Sequence, residues 1–157
     1  MHGLAASHDL LVEENWRGVL LEELVRHQLA VFAEIGGARL TVDGPKVMLT
    51  AQASQAIGLA LHELGTNAIK HGSWSLPQGR VAVSWAFEPA SFGGGALRIN
   101  WIERHGPRAA SPEVKGFGHV VIETMAEQAT GGQVSMDFNH LGLAWSLVIP
   151  RECLVAQ

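Results

Sequence analysis

Between residues 51 and 71 the chain carries its longest stretch of helical periodicity. Ile57, Leu61, Leu64 and Ala68 fall on one face at 100° per residue, and Gly72 stops the run. Two stretches of alternation follow: Val81, Val83, Trp85 and Phe87, then Leu97, Ile99 and Trp101, with a Gly-rich connection at 91–95 between them. A helix at 117–130 and closing strands at 133–138 and 143–149 complete the second half. A long one-faced helix beside several half-buried strands predicts an α+β, two-layer α/β sandwich, with helices on one face of a mixed, mainly antiparallel sheet.

The first half is less regular. Residues 4–16 look like the end of a helix. Leu21, Leu24, Val25, Leu29 and Phe32 predict a second helix over 20–34, stopped by Gly36-Gly37. Segments 39–42 and 46–49 flank Asp43-Gly44-Pro45 and predict a short hairpin or paired turn. Residues 105–116 hold two prolines and two glycines without periodicity, which predicts a long loop.

The length of 157 residues allows one core, and 47% hydrophobic against 17% charged residues is the composition of a folded chain. Eleven basic against fifteen acidic residues, net −4, lack the basic surplus of a protein that neutralises phosphates along nucleic acid, so nucleic acid is not an expected partner. The single cysteine, Cys153, excludes an internal disulfide framework and a multi-cysteine zinc site. No stretch reaches the ~18 apolar residues of a membrane span, and no secretory signal is visible. The expectation is a cytoplasmic domain without membrane contact.

Three places offer chemistry. On the long helix, Glu63, Asn67 and Lys70 share a face opposite Leu61, Leu64 and Ala68. They offer a carboxylate, an amide carbonyl and an ammonium: a base, an oxygen ligand for a hard cation such as Mg²⁺, and a phosphate partner. Spacing alone fits a solvated polar face more readily. His62-Glu63 also begins like a zinc-protease helix, but Thr66 stands where the second histidine is required. The second place is Trp101-Ile102-Glu103-Arg104-His105-Gly106-Pro107, where an acid leaving a strand can accept hydrogen bonds from an amino group such as that of adenine; an ordinary strand end has the same pattern. The third, Lys115-Gly116-Phe117-Gly118-His119, opens a helix, and glycines there let a phosphate approach backbone N–H groups. By itself a Gly-x-Gly is weak. Arg104, Arg108 and Lys115 bracket the intervening loop, as phosphate partners or as solvated charges.

In this order the three resemble the ATP-binding domain of sensor histidine kinases, a Bergerat-type fold. His62 before the glutamate, the Trp101-x-Glu103 triplet and the Gly116-Phe117-Gly118 turn look like the HWE family, named for that histidine, tryptophan and glutamate. Ser7-His8-Asp9-Leu10-Leu11 and Asn15-Trp16-Arg17-Gly18 are similar to the start of that domain. The resemblance covers residues 7–150. It implies that Glu63 polarises or deprotonates an accepting histidine, that Asn67 ligates Mg²⁺, and that Lys70 meets phosphate oxygens. It further implies that Glu103 reads the adenine amino group and that His71, Gly106, Gly116 and Gly118 complete the ATP site. His62 and Trp101 would shape the pocket.

The chain departs from the family pattern at three histidines. His71 replaces a tyrosine beside the nucleotide, His105 a glycine after the adenine-reading acid, and His119 a small polar residue after Gly118. The backbone path at 105 is in question for that reason.

The resemblance divides the chain into residues 1–18, the tail of a preceding helical phosphoacceptor domain, a catalytic domain over 19–151 and a C-terminal tail over 152–157. It implies Mg-ATP as ligand and two partners, a histidine phosphoacceptor and dimerisation domain and the receiver domain of a response regulator. The piece itself is expected to be a monomer, and His8 a packing rather than an acceptor histidine. The rival expectation is a degenerate, non-catalytic domain of the same fold that docks a response regulator. A serine kinase on this fold is disfavoured by the Trp-x-Glu triplet.

Overall fold

The computed structural model describes residues 18–32, 37–89, 94–107 and 119–155. Thr50 caps the long helix α2 (Ala51–Lys70), its hydroxyl accepting from the Ala53 N–H at 3.3 Å. The apolar face read from the sequence is the buried one: Ile57, Leu61, Leu64 and Ala68 are fully enclosed. Helix α1 (Leu21–Leu29) packs beside it through Leu21, Leu24 and Val25, and a 3-10 turn over Ala30–Phe32 continues it.

These helices cover one face of a five-stranded sheet. In chain order its strands are β2 (Leu40–Asp43), β4 (Arg80–Phe87), β5 (Leu97–Arg104), β6 (Gln133–Asn139) and β7 (Gly142–Ile149). Their spatial order is β2-β4-β5-β7-β6, with β2 parallel to β4 and the remaining pairs antiparallel. Burial alternates along β4, β5 and β7, so Val83, Trp101 and Trp145, which lie opposite one another, point into the same core. Removing such side chains from water contributes about 1.5–3 kcal/mol each, which holds the sheet to the helices. The α+β two-layer expectation is met.

One local expectation is corrected. Segments 39–42 and 46–49 do not pair with each other. β2 joins the main sheet in parallel, while β3 (Met48–Leu49) pairs with β1 (Val19–Leu20) in a separate two-stranded sheet. The parallel edge needs a crossover, which α2 provides between β2 and β4. Residues at the C-terminus close on the same strip: Thr50 N–H donates to Cys153 O and Val155 N–H to Met48 O, both at 2.8 Å.

The helix expected over 117–130 is present from His119 onward. It runs as a π-helix over Val120–Met125 and as α3 over Ala126–Thr130, and ends at Gly131 in the left-handed region, φ 73°. The helix end expected over 4–16, with His8, lies outside the described residues. No helix among the described residues is long and apolar enough to cross a membrane.

Candidate functional site

Helix α2 ends where its last carbonyls are taken up, Asn67 O accepting from the N–H groups of His71 (2.8 Å) and Gly72 (3.0 Å). The chain then turns inward. Ser73 and Trp74 are buried in a 3-10 turn (Ser73–Ser75). Arg39 at the start of β2 pins this segment, its guanidinium donating to Gly79 O (2.9 Å) and Leu76 O (2.5 Å), while the Trp74 indole donates to Arg39 O (3.2 Å).

This segment meets the end of β5 at Glu103. The Glu103 side chain points into the molecule and the residue is only 3% exposed. Each carboxylate oxygen has a donor: Ser73 N–H reaches Oε1 at 3.0 Å and the Trp101 indole N–H reaches Oε2 at 2.9 Å. Burial pushes the carboxyl pKa above its ordinary value of 4.5, and the hydrogen bonds from Trp101 and Ser73 oppose that rise. The approach is close because glycines line it. A Cβ on Gly72 would lie 2.3 Å from Glu103 Oε1, and one on Gly106 2.2 Å from Ser73 Cα. His105 takes φ 59°, so the backbone there follows the left-handed path a glycine would take, despite the imidazole.

The remaining sequence candidates are divided. Glu63 and Asn67 are half-buried and Lys70 exposed, on one face of α2 and about 10 Å apart end to end at helical rise. None of the three side chains has a hydrogen bond or ion pair with another described residue. His71 is exposed at the helix end and Gly106 sits against Ser73. Arg104 donates to the Glu103 carbonyl at 2.8 Å, and His119 stacks on Phe138 with ring centroids 6.2 Å apart. Gly116 and Gly118 lie outside the described residues, as do Arg108, Lys115 and Phe117.

A row of rings ties the sequence markers together. His62 packs on Phe32 and Phe32 on Trp74, each at 5.8 Å between centroids, and Trp74 meets Trp101 edge-on at 5.9 Å. Gly65 makes room for this row, since a Cβ there would lie 2.4 Å from the Phe32 ring. His62 Nδ1 and Ser73 Oγ are buried without a hydrogen-bond partner among the described residues. The sequence reading did not place Phe32, Gly72, Ser73 or Trp74 at the site. It marks Phe32 only as an apolar helix residue and Gly72 only as a helix stop.

The donor set suits Mg²⁺ held chiefly by phosphate oxygens. Asn67 supplies a side-chain amide oxygen, Oδ1, with no hydrogen bond to another described residue, and the Glu63 carboxylate lies one turn away. Mg²⁺ typically takes one or two protein oxygens and keeps water and phosphate for the rest. Among the described residues no cluster of three His, Cys, Asp or Glu side chains would hold a cation by itself.

Known proteins agree with this architecture. The histidine kinase domain of the Erythrobacter litoralis EL346 blue-light-activated histidine kinase superposes over 82% of this chain and 65% of its own, with a TM-score of 0.62 at 19% identity. The catalytic domain of histidine kinase ThkA superposes over 84% of this chain and 94% of its own, with a TM-score of 0.62 at 18% identity. The fold is that of histidine kinase catalytic domains. In sequence, the family described as HWE histidine kinase matches residues 1–46. A blue-light-activated histidine kinase of Rhizobium johnstonii is 33% identical over 150 residues, 96% of this chain and 42% of the relative. One from Brucella abortus is 27% identical over 150 residues, 96% of this chain and 30% of the relative. The resemblance to the HWE histidine kinases is therefore borne out. The chain spans less than half the length of these relatives.

Proposed function

We propose that this chain is the ATP-binding catalytic domain of a two-component sensor histidine kinase. The observation that carries the reading is Glu103: a buried carboxylate aimed inward at the end of α2, with one N–H donor on each oxygen. A carboxylate has about four lone-pair sites, so capacity remains for the amino group of adenine. From that base position the polyphosphate would run along α2 toward Lys70, Asn67 and Glu63. His71, Gly106, Gly116 and Gly118 would complete the nucleotide site.

In this reading Lys70 would meet phosphate oxygens and Asn67 would hold Mg²⁺, which when bound would supply charge neutralisation at the phosphates. Glu63 withdraws the proton from an acceptor imidazole, whose nitrogen attacks the γ-phosphorus as ADP leaves. Such catalysis is mainly positioning and charge neutralisation. The acceptor histidine belongs to a phosphoacceptor domain, for which residues 1–18 would be the tail, and a response-regulator aspartate receives the phosphoryl group. The domain works in the cytoplasm.

Calorimetric titration with a non-hydrolysable ATP analogue, with and without Mg²⁺, tests the site. Binding that strengthens with Mg²⁺ and disappears in Glu103→Ala is expected. No binding at millimolar analogue in either condition would overturn the kinase reading and leave a docking module for a response regulator.

A further inference from the structure

We infer that Trp101 is a positioning residue for base recognition, its indole N–H fixing the Glu103 carboxylate in the orientation that reads an exocyclic amine. The inference rests on the nucleotide reading above and assigns a task to a side chain that is itself fully buried.

A glutamate has one more rotatable bond than an aspartate, and a buried glutamate without anchors would sample several orientations. Here both oxygens are anchored. Oε1 takes the N–H of Ser73, a backbone donor already fixed by Arg39 through Leu76 and Gly79, and Oε2 takes the Trp101 indole. Trp101 lies two residues before Glu103 on β5, so both side chains point to the same face of the sheet. The ring is itself immobile. Trp101 is fully buried, meets Trp74 edge-on, and lies opposite Val83 and Trp145 in the sheet. A fixed ring thus aims a fixed donor, and the carboxylate plane follows. An aromatic ring without the N–H would fill the same core and leave Oε2 free to rotate.

Trp145 provides an internal control. It is equally buried and sits directly opposite Trp101, but its indole N–H goes to Ile122 O at 2.8 Å, away from Glu103. The experiment measures affinity for a non-hydrolysable ATP analogue and for the matched analogue whose purine lacks the 6-amino group. The wild-type chain should prefer the amine by about tenfold, the magnitude of a hydrogen bond to a charged group. Trp101→Phe should lose most of that preference, Trp145→Phe should keep it, and Trp101→Phe with Glu103→Gln should be no worse than Glu103→Gln alone.

A folded Trp101→Phe chain with the full preference overturns the inference while leaving the nucleotide reading intact. A wild-type chain that binds neither analogue overturns both. Should Trp101→Phe fail to fold, the indole N–H resonance of Trp101 decides instead. It should shift on addition of the amine-bearing analogue and stay in place with the amine-free one; identical shifts would count against the inference.

Discussion

Gly72 lies so close to Glu103 that a methyl group on it would sit 2.3 Å from the carboxylate oxygen Oε1 and 2.9 Å from Ala68 Cα. The helix that carries Glu63 and Asn67 is thereby coupled to the acid at the end of β5. Neither contact can yield easily, because Ala68 Cα is helix backbone and Oε1 is held by Ser73. Gly72→Ala should cost about 1–3 kcal/mol of stability, as overpacking does, and displace the carboxylate. Thermal unfolding would show the first effect. Loss of ATP-analogue affinity in the folded fraction would show the second, and unchanged affinity would separate Gly72 from the site.

The raised pKa of Glu103 gives two pH dependences of opposite sign. The native state retains this proton at pH values where the unfolded chain, titrating near 4.5, has released it. Stability should therefore fall as pH rises from about 4.5 through the native value. Nucleotide affinity should move the other way, since only the ionised carboxylate accepts strongly from an amine, and should weaken as pH falls through the native value. His71 and His105 lie exposed nearby, so Glu103→Gln is the reference that isolates this carboxyl. It should flatten both profiles.

Much of the scaffold was legible because it is written in local period. The α2 face and the alternation along β4 and β5 need only the residues within each element, and the buried sets match them except at Phe87, which ends β4 and is 51% exposed. The partner of β2 was not legible, because a parallel pairing is decided some forty residues away at Val81–Ser84. At the site, Glu103 could be picked out by residue type and neighbours. Ser73 could not, since it acts through a backbone N–H that every non-proline residue carries. The row from His62 through Phe32 and Trp74 to Trp101 joins four separate segments, and no spacing in the sequence announces it.

His105 bears on the folding of this corner rather than its chemistry. At φ 59° an L side chain costs about 1–2 kcal/mol relative to ordinary backbone, less where a short polar side chain finds a local hydrogen bond. The imidazole is exposed and makes no hydrogen bond with another described residue. His105→Gly should relieve the strain, offset in part by the greater freedom of glycine in the unfolded chain, for a net gain of up to about 1 kcal/mol. Denaturant unfolding should show a higher midpoint with the same slope. His105→Ala should gain nothing, which distinguishes backbone strain from removal of the ring.

Glu63 and Asn67 sit one turn apart on α2, yet the proposed mechanism gives them separable phenotypes. A base that acts on the acceptor imidazole contributes to the transition state and not to ground-state ATP binding. Glu63→Gln should thus lower phosphotransfer to a supplied acceptor domain by about 10²–10⁴-fold and leave analogue affinity within about twofold. Asn67 contributes through the cation. Asn67→Ala should leave Mg²⁺-free binding unchanged and erase the gain that Mg²⁺ brings to the wild-type chain. Titration with and without Mg²⁺, paired with an acid-lability assay for phosphohistidine, reads both. A Glu63→Gln chain with full transfer would remove the base from the mechanism, and an Asn67→Ala chain with intact Mg²⁺ dependence would move the metal ligand elsewhere.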